Sequence, residues 1–279
     1  MTREQVFVAE VMAYYQASGR HDLPWRMPDP DGSFDPYKIL VSEVMLQQTQ
    51  VPRVIPKFEA FLSKFPNVRA LADAPLDTVL GAWLGLGYNL RARYLWLAAQ
   101  QLAKSAEPWT FELLVACKGI GPNTASAVLV YSYDAALTFI ETNIRSVIIH
   151  HFFEDADQVS DKQVLTVFTD INAYACAAHS PREWYWALMD YGTHLKKTHG
   201  NASRRSSSHT KQSKFEGSRR QLRGRILRTL HDRPRLKAEL SEELADERFD
   251  DVIAILEREG LVQVHDKTLM LYNGFDDVT

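Results

Sequence analysis

Apolar residues recur every three to four positions along most of the first 195 residues, a spacing that predicts amphipathic helices. Strand-like alternation is scarce, and the Pro, Asp and Gly residues of MPDPDGSFDPY and FPNV mark loops between helices. The pattern therefore predicts an all-helical first domain. The periodic runs are VFVAEVMAYY, KILVSEVMLQQ, VIPKFEAFLSKF, ALADAPLDTVLGAWLGLG, ARYLWLAAQQLA, TASAVLVYSY, VLTVFTDINAYA and EWYWALMDYG.

The last 61 residues follow a different pattern. LRGRILRTLHD, LKAELSEELA and RFDDVIAILEREG predict three short helices, and LVQVHDKTLMLY predicts two strands joined by a turn. This order resembles a winged helix over residues 219–279. The segment around the third helix carries six acidic side chains, which should repel DNA phosphates. We therefore interpret the small domain as a structural or protein-contact module rather than a DNA-binding domain.

Charge is distributed unevenly, although the formal net charge is only −3. Residues 196–225 contain ten basic side chains and one acidic side chain, set among Ser, Gly and Thr. This composition predicts a basic linker over residues 196–218. One interpretation is an arm that contacts DNA phosphates, with Arg204 and Arg205 as candidate contacts, and the alternative is a solvated hinge.

Several classes of protein are disfavoured by composition. No stretch approaches the roughly 18 consecutive apolar residues of a membrane span, and the first 20 residues lack the apolar block of a signal peptide. The two cysteines, Cys117 and Cys176, are far apart, and the nine histidines show no ligand spacing. We expect a cytoplasmic monomer without a disulfide, a metal site or a membrane partner, associated with the nucleoid if the source is prokaryotic.

The stretch LVACKGIGPNTASAVLVYS predicts two helices joined by a tight turn. Gly119 and Gly121 leave the backbone amides of this turn uncovered, and the positive N-terminus of the second helix follows. Such a helix-hairpin-helix grips a DNA phosphate without reading a base, although a Gly-x-Gly pattern also occurs at other helix junctions. Double-stranded DNA is the expected partner, with Lys118 as a backbone contact.

Besides the hairpin, the chain contains LPWR at 23–26, DPYKILVSEVMLQQTQV at 35–51, APLDTVLGAWLGLGYNLRAR at 74–93 and WALMDYG at 186–192. Taken together, these motifs give the chain a family resemblance over residues 5–195. It resembles the endonuclease III superfamily of DNA glycosylases and, within it, the adenine glycosylases of the MutY family. The resemblance implies a two-lobed helical domain over residues 1–195, with one lobe at 29–136 and the other at 1–28 plus 137–195. The motifs stand in the family's order and spacing.

This resemblance implies base excision repair by a DNA glycosylase that removes adenine mispaired with 8-oxoguanine or guanine. Glu43 matches the acid that protonates adenine at N7, and its apolar neighbours would raise its pKa, whereas a surface glutamate is the alternative. Gln48 matches the wedge that fills the vacated stack, with Thr49 beside it. The motif at 74–93 supplies three candidate DNA contacts, Leu86, Tyr88 and Arg91. The alternative for Tyr88 is a position in the core, and the alternative for Arg91 is a solvated side chain.

Two positions depart from the family's catalytic pattern. Asn123 lies where bifunctional members carry a lysine nucleophile, which implies a monofunctional enzyme without a lyase step. As part of the hairpin, Asn123 is also a candidate DNA contact. Glu141 lies where the family has its catalytic aspartate, and Asn143 matches the asparagine that follows. The extra methylene of Glu141 moves the carboxylate by about an ångström, and misplacement of that size lowers rates about a hundredfold. Glu141 is therefore either a displaced working carboxylate or the mark of a weakened enzyme.

Two further departures concern parts outside the catalytic pattern. The four cysteines that hold an iron–sulfur cluster in most relatives are missing, so no cluster and no other cofactor is expected. The residues after Arg225 are too few for the domain that inspects 8-oxoguanine in the family. Two alternative functions stay open: a mismatch thymine or uracil glycosylase, against which Glu43 argues, and a catalytically weakened DNA-damage-binding protein.

Overall fold

The computed structural model describes residues 1–207 and 214–274, which form two compact units. Unit 1 comprises Met1–Glu43, Thr110–Val115 and Gly121–Lys211, and unit 2 comprises Val44–Trp109, Ala116–Ile120 and Gln212–Thr279. The fold is mainly α, as the apolar spacing predicts. None of the helices in the described ranges is long and apolar enough to cross a membrane.

Unit 1 is helical, and its core is built around α11 (Pro181–Thr198), which packs against α1 (Arg3–Ser18), α8 (Pro122–Tyr133), α9 (Thr142–Phe152) and α10 (Asp161–Ala178). It also contains most of α2 (Pro36–Leu46) and of α7 (Phe111–Ala116), and two 3₁₀ turns, Pro24–Arg26 and Ala202–Arg205. Large side chains of α11, among them Trp184 and Tyr185, are fully buried. Tyr185 stacks on Phe139, with ring centroids 4.3 Å apart, and this packing fixes the segment that leads to α9.

Local sequence explains where two of these helices begin. Thr2 and Gln5 form a capping box at the start of α1, and Ser160 and Gln163 form another at the start of α10. α9 is different, because its N-cap residue is Glu141, whose carboxylate accepts hydrogen bonds from the first turn. A side chain predicted to be catalytic thus also starts a helix.

Unit 2 contains α3 (Val51–Lys64), α4 (Val68–Ala72), α5 (Leu76–Trp83) and α6 (Leu90–Leu102), followed by the C-terminal elements. The predicted helical run from 70 to 87 is divided into α4, α5 and a Gly-rich turn. Pro75 lies immediately before α5, and the residue before a proline is biased away from helical dihedrals, so α4 ends before it.

The C-terminal part of unit 2 has the winged-helix-like order that the sequence predicts. α12 (Arg219–Asp232) is followed by β1 (Arg235–Leu236), α13 (Lys237–Leu244), α14 (Phe249–Arg258), β2 (Val262–His265) and β3 (Thr268–Leu271). The strands form an antiparallel sheet in the order β1-β3-β2, with Val262 opposite Leu271 and Arg235 opposite Leu269. β1 was not predicted, because two residues are too few to show an alternating pattern.

The first part of the predicted basic linker is folded. α11 continues to Thr198, and the Arg205 guanidinium donates hydrogen bonds to the carbonyls of Phe153, Glu154 and Ala156 at 2.7 to 3.0 Å. A fourth hydrogen bond, at 3.3 Å, goes to the Ile149 carbonyl in the last turn of α9, so Arg205 holds residues 201–207 against the rest of unit 1. Residues 208–213 of the predicted linker lie outside the described residues. The unit boundaries also differ from the predicted lobes, because the chain changes unit within α2.

Candidate active site

Glu43 lies near the C-terminal end of α2, on the unit 1 side, and is partly buried among apolar residues. The pKa of its carboxyl is raised to about 8. Burial is the largest cause, the negative charge of Glu141 acts in the same direction, and the positive charge of Arg26 acts in the opposite direction. A carboxyl with this pKa is largely protonated at neutral pH. Glu43 can therefore act as a proton donor, in the direction that its apolar sequence neighbours predict.

Glu141 is held at the N-terminus of α9. Its Oε1 accepts the backbone N–H groups of Asn143 at 2.6 Å and Ile144 at 3.3 Å. Burial raises the pKa of Glu141, while these N–H groups and the ammonium of Lys196 act in the opposite direction and favour the charged form. The additional methylene lets the glutamate fold back onto its own helix, where the helix dipole also favours a negative charge.

The two carboxyls consequently have different environments. Burial raises the pKa of both carboxyls, but the neighbouring negative charge raises the pKa of Glu43 further, whereas hydrogen-bond donors and a cation oppose the rise at Glu141. Two neighbouring carboxyls whose environments separate their pKa values form a natural acid and anion pair. The arrangement supplies one proton donor and one negative charge in the same site.

A buried ion pair supports this site and was not assigned a role from the sequence. Arg26 and Asp190 are 6% and 3% exposed, and Arg26 donates two hydrogen bonds to the Asp190 carboxylate at 2.8 and 2.9 Å. Burial alone would raise the pKa of Asp190, but the hydrogen bonds and charges of Arg26 and Arg20 outweigh it and lower this pKa. Arg26 lies in the motif LPWR and Asp190 in the motif WALMDYG. In each motif a charged residue stands among apolar residues, which is the sequence feature that could have indicated a buried ion pair.

Tyr131 and Trp186 lie beside the same groups. The indole of Trp186 stacks against Tyr131, with ring centroids 5.9 Å apart, and the Arg26 guanidinium lies 5.3 Å from the Trp186 ring. Burial and the charges of Glu43 and Glu141 raise the pKa of Tyr131, so its hydroxyl stays protonated. Tyr131 was not predicted, because a tyrosine in an apolar helical run has no sequence feature that separates it from core residues.

Asn143, predicted to be catalytic, lies in the first turn of α9. Its Oδ1 accepts a hydrogen bond from Lys196 Nζ at 2.6 Å, and its Nδ2 donates to Met189 Sδ at 3.7 Å. A Cβ added to Gly192 would lie 2.8 Å from the Asn143 carbonyl oxygen and 2.9 Å from its Cβ. Gly192 therefore permits the close approach of α11 and α9 that places Asn143 beside Lys196.

Asn123 lies at the start of α8, where its Nδ2 donates to the Ile140 carbonyl at 2.7 Å. Ile140 immediately precedes Glu141. The amide at the position of the absent lysine thus binds the chain that leads into the carboxylate, which gives Asn123 a positioning role in unit 1.

Gln48 and Tyr88 belong to unit 2, in two turns that are tied together. Both side chains are exposed and both residues have positive φ, 54° and 48°. Positive φ is rare for such side chains and persists where surrounding structure imposes it. The GLGY turn (residues 85–88) is fixed by Trp83, whose Nε1 donates to the Gly87 carbonyl at 3.2 Å. The exposure of Tyr88, 38%, favours a contact residue over a core residue.

Arg91 has a different role from the phosphate contact that the sequence predicts. Its guanidinium donates to the carbonyls of Val44 and Gln47 at 2.7 and 2.6 Å, to Thr49 Oγ1 at 3.2 Å, and to the Gly87 carbonyl at 3.1 Å. Arg91 therefore joins the end of α2 to the GLGY turn, and Thr49 takes part in this joint.

Leu86 is likewise a packing residue rather than the predicted DNA contact. Its side chain is 3% exposed, so it lies in the core of unit 2 while its neighbour Tyr88 projects outward. Sequence spacing could not separate these two residues, because the turn follows no helical or strand period.

The hairpin has the predicted form at its turn. Gly119 has φ of 89°, and a Cβ there would lie 2.6 Å from Tyr94. Lys118 is exposed, with its Nζ 5.4 Å from the Tyr94 ring centroid. Gly121 is the N-cap of α8 and has an exposed, extended backbone without a side-chain cap. The positive end of the α8 dipole lies at this turn and favours an anion there.

The predicted linker arginines differ in exposure. Arg204 is exposed on its 3₁₀ turn, whereas the Arg205 guanidinium is directed to backbone carbonyls of unit 1. This geometry gives Arg205 a structural role in place of the predicted phosphate contact.

The residues present do not fit a four-cysteine iron–sulfur cluster. Such a cluster needs four thiolates, and the sequence contains two cysteines, a buried Cys117 in unit 2 and Cys176 on α10 in unit 1. Burial raises the pKa of both thiols, which disfavours the thiolate form that binds metal. Within residues 1–207 and 214–274, no group of three His, Cys, Asp or Glu side chains is placed to bind a metal ion.

Comparison with known sequences gives consistent matches. Residues 41–171 match the family model described as HhH-GPD superfamily base excision DNA repair protein. The adenine DNA glycosylase of Mycolicibacterium smegmatis is 30% identical over 252 residues, which cover 80% of this chain and 80% of the relative. That of Buchnera aphidicola subsp. Baizongia pistaciae is 37% identical over 150 residues, covering 53% of this chain and 41% of the relative. The chain spans about half the length of the Buchnera relatives it matches.

Comparison with solved structures gives the same fold. The structure of a thermostable thymine-DNA glycosylase superposes with a TM-score of 0.56 at 21% identity, covering 68% of this chain and 86% of that structure. A likeness at this identity concerns the fold and carries no information about the base that is excised.

Proposed function

The chain belongs to the adenine DNA glycosylase family, within the HhH-GPD superfamily, and from this premise we propose that it is a monofunctional DNA glycosylase. Its substrate is adenine mispaired with 8-oxoguanine or guanine in double-stranded DNA, and the protein acts as a monomer on chromosomal DNA. The observation that carries the proposal is the carboxyl pair, in which Glu43 has a pKa raised to about 8 beside Glu141.

In this proposal, Glu43 protonates the adenine base. The C1′–N9 bond breaks with its electron pair passing to the base, and a proton delivered to N7 neutralises the charge that develops there. A pKa near 8 keeps Glu43 protonated at neutral pH and leaves it acidic enough to give up the proton. Burial is the main cause of this raised pKa.

In this proposal, Glu141 stabilises the sugar rather than the base. Loss of the base leaves positive charge on C1′ and the ring oxygen, and a fixed carboxylate stabilises that charge, as the second carboxylate does in glycoside hydrolysis. Water then adds to C1′, its oxygen forms the new bond, and its proton is lost to solvent or to the site. The N–H groups of Asn143 and Ile144 favour the anionic form of Glu141, which this step needs.

The absence of a strand-cleaving step follows from Asn123. A lyase reaction needs an amine to attack C1′ and form a Schiff base, whereas the amide of Asn123 is not nucleophilic and binds the Ile140 carbonyl. The product is therefore an intact strand with an abasic site. In this mechanism the two carboxyls and a water molecule supply every reacting group, so the proposal includes no cofactor.

The test uses end-labelled duplexes that contain A opposite 8-oxoguanine, A opposite guanine, and T or U opposite guanine. After incubation with excess protein, alkali cleaves the strand wherever a base has been removed. We expect cleavage at adenine with the wild type and none with Glu43→Gln, whose side chain has similar size but cannot supply the proton. Cleavage at T or U alone would indicate a mismatch pyrimidine glycosylase, and binding without cleavage would indicate a damage-binding protein.

A further inference from the structure

A cleft of about 910 Å³ lies within unit 2, on the side of the GLGY turn. Its walls are that turn, the start of α6, the hairpin residues Gly119 and Ile120, and the first helix of the winged-helix-like part, α12. The cleft is strongly positive, because its lining contains five arginines and a single glutamate. The arginines are Arg53, Arg91, Arg220, Arg223 and Arg228, and the glutamate is Glu259.

These arginines are not equivalent. Arg91 binds backbone carbonyls, and Arg223 forms an ion pair with Glu259, so both are committed to the fold. Arg53 on α3 and Arg228 on α12 are exposed at the cleft. A ligand of this cleft would therefore meet cationic side chains from two separate elements.

An aromatic ring completes the cleft. Arg220 Nη1 donates a hydrogen bond to Tyr88 Oη at 2.7 Å, and the guanidinium carbon of Arg220 lies 5.7 Å from the Tyr88 ring centroid. Arg91 lies 5.5 Å from the same centroid. Guanidinium groups beside an aromatic ring, lining a positive groove, form the combination that binds nucleic-acid strands through phosphates and stacked bases.

α12 is a firm wall rather than a loosely attached helix. The His231 ring lies so close to Gly81 of α5 that a Cβ on Gly81 would be 2.2 Å from it. The Leu76 N–H also donates to the Asn273 carbonyl at 2.9 Å, which joins the start of α5 to the end of the sheet region. The position of Arg220 and Arg228 relative to the GLGY turn is therefore fixed by packing.

We propose that this cleft holds one strand of the DNA substrate, so that the winged-helix-like domain contacts DNA through its first helix, α12. The inference relies on the proposed function for the identity of the ligand. It also resolves the charge problem of this domain, because the acidic residues surround α14 whereas α12 carries the arginines. Phosphates of the strand contact Arg53 and Arg228, and a base stacks at Tyr88.

Salt-dependent binding tests this proposal directly. The full-length chain is titrated, by fluorescence anisotropy, into a duplex whose lesion is an uncleavable abasic-site analogue, between 50 and 200 mM salt. Each lost phosphate contact reduces the slope of log K against log salt by about 0.9. We expect that reduction for Arg53→Ser and for Arg228→Ser, and about twice that for the double variant.

The matched control is Arg225→Ser, which removes an exposed arginine from α12 that does not line the cleft. Its slope should equal that of the wild type. The proposal is overturned if the cleft variants keep the wild-type slope or if the control loses as much slope as Arg228→Ser. The proposal would also be overturned if the cleft variants reduced the salt slope of binding to single-stranded DNA but left the slope for the duplex unchanged.

This readout is independent of base excision. If the protein binds with the predicted slopes but removes no adenine, the cleft assignment stands and the proposed function fails. If the protein removes adenine while the salt slopes of all variants match the wild type, the proposed function stands and the cleft assignment fails. Thermal unfolding of each variant checks that the substitutions, all at exposed positions, leave the fold intact.

Discussion

The negative charge of Glu141 raises the pKa of Glu43, so the two carboxyls of unit 1 do not ionise independently. Replacing Glu141 by an uncharged residue should therefore lower the pKa of Glu43. In Glu141→Gln protein we expect the Glu43 carboxyl to titrate clearly below the value of about 8. A carbon-13 NMR titration of labelled glutamate measures this. Glu112→Gln, at an exposed site, serves as the control and should leave the titration unchanged.

The same pair predicts the pH dependence of excision. Activity needs Glu43 protonated and Glu141 ionised, so the single-turnover rate should fall as pH rises through about 8. On the acid side it should fall as Glu141 becomes protonated, at a pH above the usual range of a glutamate because burial raises that pKa. A rate that keeps rising above pH 9 would remove Glu43 from the role of acid.

Substitution of Glu141 separates its charge from its role as a helix cap. Glutamine keeps an acceptor for the N–H groups of Asn143 and Ile144 but has no charge, so Glu141→Gln should fold normally and lose nearly all activity. Aspartate is a good N-cap residue and keeps the charge, so Glu141→Asp should preserve or raise the rate. Single-turnover excision with excess enzyme isolates the chemical step.

The outcomes of that experiment distinguish the open interpretations of Glu141. Equal inactivity of all three proteins, with equal binding of the lesion, would indicate a damage-binding protein. A lower rate with aspartate than with glutamate would show that α9 has adapted to the longer side chain. Wild-type rate in Glu141→Gln would show that position 141 does not carry the charge.

Lys196 supports Glu141 through charge and Asn143 through a hydrogen bond of 2.6 Å. Removing the ammonium removes an influence that favours the anion, so Lys196→Met should raise the pKa of Glu141. The acid limb of the rate profile should then move to higher pH, while the limb near pH 8 stays in place. Lys197→Met removes the same charge from the next, exposed position and should leave both limbs unchanged.

Two glycine substitutions should have opposite effects on stability. Gly192→Ala places a methyl 2.8 Å from the Asn143 carbonyl oxygen, so α11 and α9 must separate, at a cost of about 1–3 kcal/mol in the free energy of unfolding. Gly224→Ala, within α12, meets no atom within 4 Å and should add about 0.5–1 kcal/mol through helix propensity. Urea unfolding followed by circular dichroism measures both changes.

Neighbouring arginines test whether the folded part of the linker is structural. Arg205→Met removes hydrogen bonds to four backbone carbonyls and should lower the melting temperature, with little change in the salt dependence of DNA binding. Arg204→Met, at the exposed adjacent position, should leave the melting temperature unchanged. The reverse result would restore Arg205 as a phosphate contact.

The sequence by itself determined the features that depend on local pattern. The apolar spacing predicts the helices, the change of pattern after residue 218 predicts three helices and a hairpin, and Lys118–Gly121 predicts the hairpin turn. Glu43 and Glu141 could also be selected from the sequence, because a carboxyl in an apolar run and an unusual residue in a familiar motif are local signals.

Only the tertiary structure decided which of these residues lie together and what each one contacts. Leu86 and Tyr88 are two residues apart, yet one is buried and the other projects. Arg91 and Arg205 have the sequence context of phosphate contacts, but in the structure their guanidinium groups bind backbone carbonyls. The charge of Arg26 reaches Glu43 across 17 positions of the chain, and α12 reaches Tyr88 across more than 100. Electrostatics and packing act through space, and spacing along the chain does not record those distances.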